Sequence, residues 1–519
     1  MNLSQFFDHW SIAENPFRGE EARHDEVFAR LSSPAADESD RPATVHSDFE
    51  KILGQLSRPS SSIVFGEKGS GKTAIKIQIG AAVNTHNRER PNEKIYLVHY
   101  DDLNSKLDHF HERAGADDPS ESFRSIRLVD HIDAILSVGV TRLVDMLVGE
   151  PDTPGAESSA TDTGPGSEAA RAARRMDPGL KKDLVLLQAV YDAHERAHDR
   201  TVRLRKIVHP PISRSRLAWN LAAVGGWLLP ALVLAGFWTV GGGQGGTAWT
   251  VAFVTALALW VIVLLKRLWW DKLGVRRQAR RIARQLRMLD RSDISIARSL
   301  EHIEPMDRQP GVLPVSNSDE PRYHMLSRLR RVLGQLGYSG VLVIIDRIDE
   351  PTLISGDAER MRAVVWPMFN NKFLQQERIG VKMLLPIELR HALFKESSAF
   401  FQEARLDKQS LIERLSWTGP MLYDLCTARL HACLRSGAEP FSLLDLFAED
   451  VTRQDLVDAL DQMHQPRDAF KFLYRCLTEH CSNVTADQKE WRIPRLVLDQ
   501  VRRQEAERLQ ALYRGIRPA

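Results

Sequence analysis

The chain has 519 residues, which is too long for one compact core and indicates two or three structural units. Its 70 Lys and Arg residues against 68 Asp and Glu leave a formal charge of +2, which argues against a dedicated nucleic-acid-binding protein with a dominant basic field. Four cysteines cannot build a disulfide framework, and they indicate a reducing compartment. The first residues also lack the basic and apolar regions of a signal peptide, so we expect the soluble parts to stay in the cytoplasm.

The first predicted elements are a helix, a strand, a second helix and a second strand. Ser47 and Glu50 have the spacing of a capping box for a helix through Leu56. Ser61 to Phe65 is an apolar run typical of a buried strand, and Lys94 to Tyr100 is another. Strands that alternate with helices predict a parallel sheet that is covered by helices on both faces.

Directly after the first strand, the segment GEKGSGKT satisfies the pattern G-x-x-x-x-G-K-[ST], and a helix-like segment follows it. The backbone N–H groups of such a loop bind phosphates at the N-terminus of the helix. We expect Lys72 to reach the β- and γ-phosphate oxygens and the Thr73 hydroxyl to bind Mg²⁺. A chance glycine-rich turn is the alternative, and the flanking strand and helix argue against it. The predicted nucleotide-binding residues are Gly66, Glu67, Lys68, Gly69, Ser70, Gly71, Lys72, Thr73 and Ala74.

The middle of the chain changes composition twice before a long uncharged stretch. From Glu150 to Glu168 the chain consists mainly of Pro, Gly, Ser, Thr and acidic residues, which predicts a disordered linker over 150–179. Residues 180–216 have the apolar spacing of a helix that leads toward a membrane. Farther along, the Pro, Gly, Asn and Ser content of residues 304–321 predicts a connector.

A transmembrane hairpin is predicted over residues 217–265. These 49 residues contain no Asp, Glu, Lys or Arg, although such residues make up 27% of the chain. A glycine-rich segment from Gly241 to Gly246 divides them into apolar stretches of 24 and 19 residues. Each is long enough to cross a hydrocarbon core of about 30 Å at about 1.5 Å per residue. The alternative is a helical hairpin buried inside a soluble core.

The charges around the hairpin predict its orientation. Lys and Arg residues are frequent on both flanks and absent from the loop between the two stretches, so both flanks should face the cytoplasm. The segment after the hairpin, 266–303, is predicted to be a basic helix beginning with Lys266 and Arg267. Its position beside a span favours anionic lipid headgroups as its partner over nucleic acid.

A second acidic motif follows the strand predicted over Val341 to Ile345. Asp346 at the end of this strand is suited to hold Mg²⁺, which is the Walker-B role. Asp349 or Glu350 could orient and deprotonate the attacking water. The alternative is that these acids cap the next helix or pair with Arg347.

Two arginines are candidates for contacting the γ-phosphate. Arg390 follows the strand predicted over Val381 to Pro386, and Arg467 lies near the start of a helical stretch in QPRD. A positive charge near the phosphates would stabilise the negative charge that develops during phosphoryl transfer. Surface ion pairing is the alternative for both side chains.

The phosphate loop together with the acidic motif DRIDE resembles the additional-strand P-loop NTPases, especially the STAND and AAA+ groups. A two-span hairpin between these motifs resembles the KAP family of membrane-associated P-loop NTPases. Asn15-Pro16-Phe17 is similar to an adenine-contacting loop of some AAA+ proteins, and QPRD resembles their sensor-2 region. The chain departs from the KAP pattern at DRIDE and has no STAND repeat array. The resemblance implies ATP and Mg²⁺ as cofactors, oligomerisation, and a role in bacterial conflict, defence or signalling.

These observations predict an α/β fold: a parallel-sheet P-loop NTPase core with an inserted transmembrane hairpin and an α-helical C-terminal lid. The expected segments are 1–104 and 322–405 for the two parts of the NTPase domain, 105–149 and 180–216 for helices, 150–179 for the linker, 217–265 for the hairpin, 266–303 for the basic helix, 304–321 for the connector and 406–519 for the lid.

The first functional interpretation is an inner-membrane ATPase with both soluble parts in the cytoplasm, assembling as a homo-oligomer and driving a conformational change. The alternative is a nucleotide-gated scaffold that recruits an unknown partner protein with little turnover. Three carboxylates after the Walker-B strand favour the ATPase, because a switch needs only Asp346. A transporter ATPase is the weakest interpretation, since two spans alone form no pathway.

Overall fold

The computed structural model describes residues 1–18, 21–32, 44–149, 164–211, 214–239, 246–309, 311–485 and 490–513. Its centre is a five-stranded sheet in which all paired neighbours are parallel and the order is β2-β3-β4-β1-β5. The strands are β1 (Ser62–Gly66), β2 (Lys94–Tyr100), β3 (Tyr338–Ile345), β4 (Ile379–Pro386) and β5 (Ser410–Ile412). The predicted α/β class and four of the five strands are therefore confirmed.

The helices lie before, between and after these strands. Those up to β3 are α1 (Leu3–His9), α2 (Glu26–Leu31), α3 (Phe49–Leu53), α4 (Lys72–Glu89), α5 (Asn104–Ala114), α6 (Pro119–Arg124), α7 (Leu128–Val148), α8 (Glu168–Arg175), α9 (Pro178–Tyr191), α10 (Ala197–Val208), α11 (Arg214–Gly225), α12 (Leu228–Thr239), α13 (Thr247–Leu265), α14 (Asp271–Gln285), α15 (Asp293–Leu300) and α16 (Glu320–Gln335). Those after β3 are α17 (Ala358–Val365), α18 (Asn371–Leu374), α19 (Ile387–Leu393), α20 (Ser398–Ala404), α21 (Gly419–Ala432), α22 (Arg453–Asp461), α23 (Pro466–Asn483) and α24 (Arg495–Tyr513).

Both faces of the sheet are buried, as the strand sequences require. Alternate strand residues point to opposite faces, so Ile63 and Phe65 enter the larger core while Val64 enters a smaller one with Ile75 and Ile79 of α4. The strands are predominantly apolar because neither face meets water, and Lys382 of β4 is a buried exception.

A long helical insertion, α5 to α16, lies between β2 and β3, and all of its helices except α11 to α13 pack on the larger core. Buried polar contacts join its helices: Arg322 of α16 donates to Asp133 of α7 at 3.1 Å, and the Tyr191 hydroxyl of α9 donates to Asp133 at 2.9 Å. Burial raises the pKa of Asp133 to about 6, and the charge of Arg322 opposes that rise. The insertion therefore belongs to the same core as the sheet.

Three local predictions differ from the structure. Part of the predicted linker is ordered, because α8 begins at the cap Ser167 and buries Ala170 and Ala173, while residues 150–163 lie outside the described residues. No capping box joins Ser47 and Glu50, since α3 follows Asp48, which makes no side-chain cap bond. The sheet also extends to Ile412, beyond the predicted start of the lid at residue 406.

The apolar hairpin consists of exposed helices. The α13 helix has a mean hydropathy of 2.4 and none of that stretch is buried, whereas the first predicted span is broken into α11 and α12 with a bend of 40°. Gly226 lies at this break, and the Trp260 Nε1 group of α13 donates to the Ala223 carbonyl at 3.1 Å. Within the described residues, one helix is therefore long and apolar enough to cross a membrane, and the bent pair would be a second if it forms one span. The predicted loop falls largely outside the described residues.

The C-terminal helices form a second core together with the N-terminal segment. Phe6 of α1 and Phe17 are buried there with residues of α21 and α23. The Arg429 guanidinium of α21 donates to the Pro16 carbonyl at 2.8 Å and to Asp25 at 2.7 Å. The NPF segment therefore packs on the helical C-terminal region.

Candidate nucleotide site

The phosphate loop connects β1 to α4 in the conformation that its glycines allow. Gly69 and Gly71 have φ angles of 99° and 97°, and Gly71 is the cap residue of α4. Residues that carry a side chain rarely adopt this left-handed backbone conformation, so glycine is favoured at both positions. The Lys72 ammonium lies inside the loop and donates to the carbonyls of Gly66 at 2.7 Å and Glu67 at 3.0 Å.

Acidic side chains from several elements act on Lys72. Burial lowers the pKa of Lys72, and the charges of Asp349, Asp346, Glu388 and Glu67 oppose that change. Asp346 and Asp349 follow β3, and Glu388 is in the first turn of α19 after β4. The carboxyl ends of β1, β3 and β4 therefore meet at one charged edge of the sheet, where open α/β sheets bind their ligands.

Asp346 has the environment expected of a metal ligand. Its side chain is 1% exposed, and its Oδ2 atom has no hydrogen-bond partner among the described residues. Burial raises the pKa of Asp346, while the charges of Lys76 and Lys72 lower it. A buried carboxylate oxygen without a partner fits Mg²⁺, which takes one or two protein carboxylates together with nucleotide phosphates. In the described parts of the chain, no group of three or more His, Cys, Asp or Glu residues could hold a metal by itself.

Asp349 and Glu350 have different surroundings. The side chain of Glu350 is 52% exposed and its carboxylate lies 3.3 Å from the Arg347 guanidinium. Arg347 has a φ of 61°, in the left-handed region that residues other than glycine adopt only occasionally. Asp349 is half-buried and contributes the largest charge effect on Lys72. Asp349 is therefore the less exposed of the two acids and the one whose charge acts more on Lys72, whereas Glu350 forms the surface ion pair that was its alternative role.

Arg467 lies directly against the phosphate loop. A methyl group placed on Gly69 would be 2.8 Å from the Cβ atom of Arg467. Arg467 is the second residue of α23, so the helical C-terminal region contacts the loop through this residue. Arg390 lies in α19 at the same edge of the sheet, where it pairs with Glu413 at 2.8 Å and lies over the Phe394 ring. The structure thus brings Arg467 into contact with the loop, whereas Arg390 at the same edge is paired with Glu413.

The remaining predicted loop residues occupy the turn and the start of α4. Ser70 donates from its hydroxyl to the Glu67 carbonyl at 2.8 Å. Thr73 is the second residue of α4 and, like Ala74, is half-buried. Lys68 is exposed on the turn.

Sequence reasoning missed four contributors to the site. The Trp417 indole donates to the Ser70 carbonyl at 2.9 Å, and Arg414 pairs with Glu67 at 2.6 Å. Both follow β5, whose three residues are too short for a periodicity signal. Lys76 pairs with Asp101 after β2, and Glu388 follows β4. The only available signal for Glu388 was its position directly after a predicted strand.

No family model, curated protein or solved structure matches this chain. The fold defines an α/β protein with a five-stranded parallel sheet and helices on both faces, and no family is identified.

Proposed function

We propose that the chain is a membrane-anchored P-loop NTPase that binds ATP with Mg²⁺ and hydrolyses it. The observation that carries the proposal is the convergence of the phosphate loop on β1 with the buried, unpartnered Asp346 carboxylate on β3. The loop after β1 supplies phosphate-binding N–H groups and Lys72, and the end of β3 supplies a carboxylate oxygen of Asp346 for the metal.

The sheet order supports the additional-strand class of P-loop NTPases. β4 lies between β1, which carries the phosphate loop, and β3, which carries Asp346. An inserted strand at this position is the feature that gives the class its name. The contact of Arg467 with Gly69 supports a lid role for the helical C-terminal region, as in the AAA+ proteins that the sequence resembles.

The proposed reaction is in-line attack of water on the γ-phosphate. Lys72 holds the β- and γ-phosphate oxygens, and Thr73 and Asp346 hold Mg²⁺. Asp349 orients the water, because it is half-buried and its charge acts more on Lys72 than that of any other carboxylate; Glu350 is the second candidate for this role. Arg467 stabilises the charge that develops on the phosphates.

Membrane anchoring rests on the exposed apolar surface of α11 to α13. The α13 helix has 19 residues, which span about 29 Å at about 1.5 Å per residue. Its large side chains face outward, including Val251, Val254 and Ile262. A soluble protein would expose this surface to water, so insertion in the inner membrane with both flanks in the cytoplasm is the arrangement we propose.

The test is Mg²⁺-dependent hydrolysis of ATP and GTP by the full chain in detergent, with binding of labelled ATP measured in parallel. Lys72→Ala should lose binding, and Asp349→Asn should bind ATP but lose turnover. Glu350→Gln should retain turnover, and exposed Glu359→Gln is the matched control. Turnover lost in Glu350→Gln and kept in Asp349→Asn would reverse the two roles.

A nucleotide-gated scaffold is the second candidate, and one observation favours it. Glu350 is held in an ion pair with Arg347. A protein that only binds ATP and changes shape needs no carboxylate that activates the attacking water. Tight ATP binding without turnover in any variant would support this function. Its partner protein and its homo-oligomer would then be sought by cross-linking in the presence and absence of ATP.

A further inference from the structure

Two adjoining cavities lie at the base of the apolar hairpin. The first has a volume of about 210 Å³ and reaches Asn220 in α11, at the start of the first apolar stretch. The second has a volume of about 340 Å³. Arg205 of α10 and His302 line both, so the two cavities share a wall.

The position of Asn220 relates these cavities to the ends of the hairpin. Its neighbour Trp219 lies under the Lys266 ammonium, which is 3.6 Å from the centre of the Trp219 ring. Lys266 follows the last residue of α13, so the start of α11 and the end of α13 lie at one level. Trp269 and Trp270, just beyond, are 70% and 77% exposed. Lysine and tryptophan at a span end are typical of the headgroup layer, and the cavities lie at this level.

The first cavity is lined by charged side chains of both signs, whereas the second is lined by basic ones only. The first cavity contains Glu304 and Asp307, whose carboxylates lie 2.7 Å and 3.7 Å from the Lys182 ammonium. The second cavity contains Lys206 and His209 and is lined by no carboxylate. Arg205 lines both cavities and therefore lies between the two carboxylates and Lys206.

Carboxylates beside basic side chains favour a zwitterion over an anion. The first cavity has two cations, Lys182 and Arg205, and two carboxylates, and the second cavity adds Lys206 without a carboxylate. An anionic headgroup has no group that could bind the two carboxylates. A ligand with both charges would place its phosphate at Arg205 and its ammonium at the carboxylates.

We propose that these cavities bind the headgroup of a phospholipid with a primary ammonium, such as phosphatidylethanolamine. The phosphate is held by Arg205 and Lys206, and the ammonium donates hydrogen bonds to Glu304 and Asp307. Phosphatidylcholine has no N–H donor and phosphatidylglycerol has no ammonium, so both bind less well. The inference rests on the proposed membrane insertion of the hairpin.

The experiment is native mass spectrometry of the full chain, released from detergent after incubation with equal amounts of short-chain phosphatidylethanolamine, phosphatidylglycerol and phosphatidylcholine. Wild type should retain phosphatidylethanolamine about tenfold over each of the others. Asp307→Asn, which keeps the shape of a side chain that is 34% exposed, should lose this preference. Glu320→Gln is the control, because Glu320 is 78% exposed and lines neither cavity.

Each other outcome overturns a defined part of the proposal. Equal retention of the three lipids, or an unchanged preference in a folded Asp307→Asn protein, overturns the headgroup site and leaves membrane insertion standing. Displacement of the lipid by inorganic phosphate alone overturns the assignment to a zwitterion. Retention of no lipid, together with failure to float with liposomes, overturns membrane insertion and with it the headgroup site. Circular dichroism melting checks the fold of each variant independently of ATP hydrolysis.

Discussion

Lys382 lies in the middle of β4 and provides the sharpest test of the energetics of the sheet. Its side chain is 0% exposed, and its ammonium nitrogen has no hydrogen-bond partner among the described residues. It belongs to the face that packs on α3 and α4, about 4.0 Å from the position that a Cβ atom on Gly54 would occupy. Burial lowers the pKa of Lys382 from 10.5 to about 7.

The lowered pKa of Lys382 destabilises the folded state, and the size of this effect depends on pH. The difference between 10.5 and about 7 corresponds to about 5 kcal/mol of folding free energy, at about 1.4 kcal/mol per pH unit. The folded state binds fewer protons than the unfolded state between these two values, so stability rises with pH across this window. At pH 7 and below, nearly the full penalty is present.

Lys382→Met retains the length of the side chain and removes the buried amine. We expect the variant to be about 3–5 kcal/mol more stable than wild type at pH 6.5, with the difference shrinking by about 1.4 kcal/mol per unit toward pH 9.5. Denaturant unfolding of both proteins in the same detergent measures this difference, and all other titrating groups cancel because they are shared. Lys408→Met, at an exposed lysine, is the control and should show no dependence on pH.

Two results would contradict this reasoning. A difference that stays constant from pH 6.5 to 9.5 would mean that Lys382 does not change its protonation on folding. A destabilised Lys382→Met protein would mean that the ammonium is satisfied in the folded state.

Two further predictions concern the loop and the hairpin. Gly69→Ala should weaken ATP binding at least about tenfold, because alanine is strained at a φ of 99° and its methyl group would lie 2.8 Å from Arg467. Calorimetry measures this loss of affinity. The control is Gly274→Ala, which should bind ATP normally because no atom lies within 4 Å of the added methyl group. Replacing residues 217–265 by a short Gly/Ser linker should give a soluble, folded core, since the contact between Trp219 and Lys266 brings the two ends of the hairpin together. Aggregation of this protein in gel filtration would contradict the prediction that the hairpin is a separate unit inserted into the folded core.

The sequence by itself determined the elements whose information is local. The glycines at 69 and 71 encode the turn of the phosphate loop, and the apolar run of β1 and the helix after it place the turn at an edge of the sheet. The continuous apolar runs of four strands and the uncharged length of α13 are likewise features of adjacent residues. Each depends on backbone conformation or hydrophobicity within a short window, which a sequence pattern reports directly.

Tertiary structure decided which side chains meet at the site. Arg467 reaches Gly69 through the packing of α23, nearly 400 residues farther along the chain, and no local pattern distinguishes it from Arg390. The difference between Asp349 and Glu350 is likewise tertiary, because burial of Asp349 and the pairing of Glu350 with Arg347 follow from the packing after β3. Such contacts are set by how distant segments pack, because the position of each side chain follows from the whole core around it.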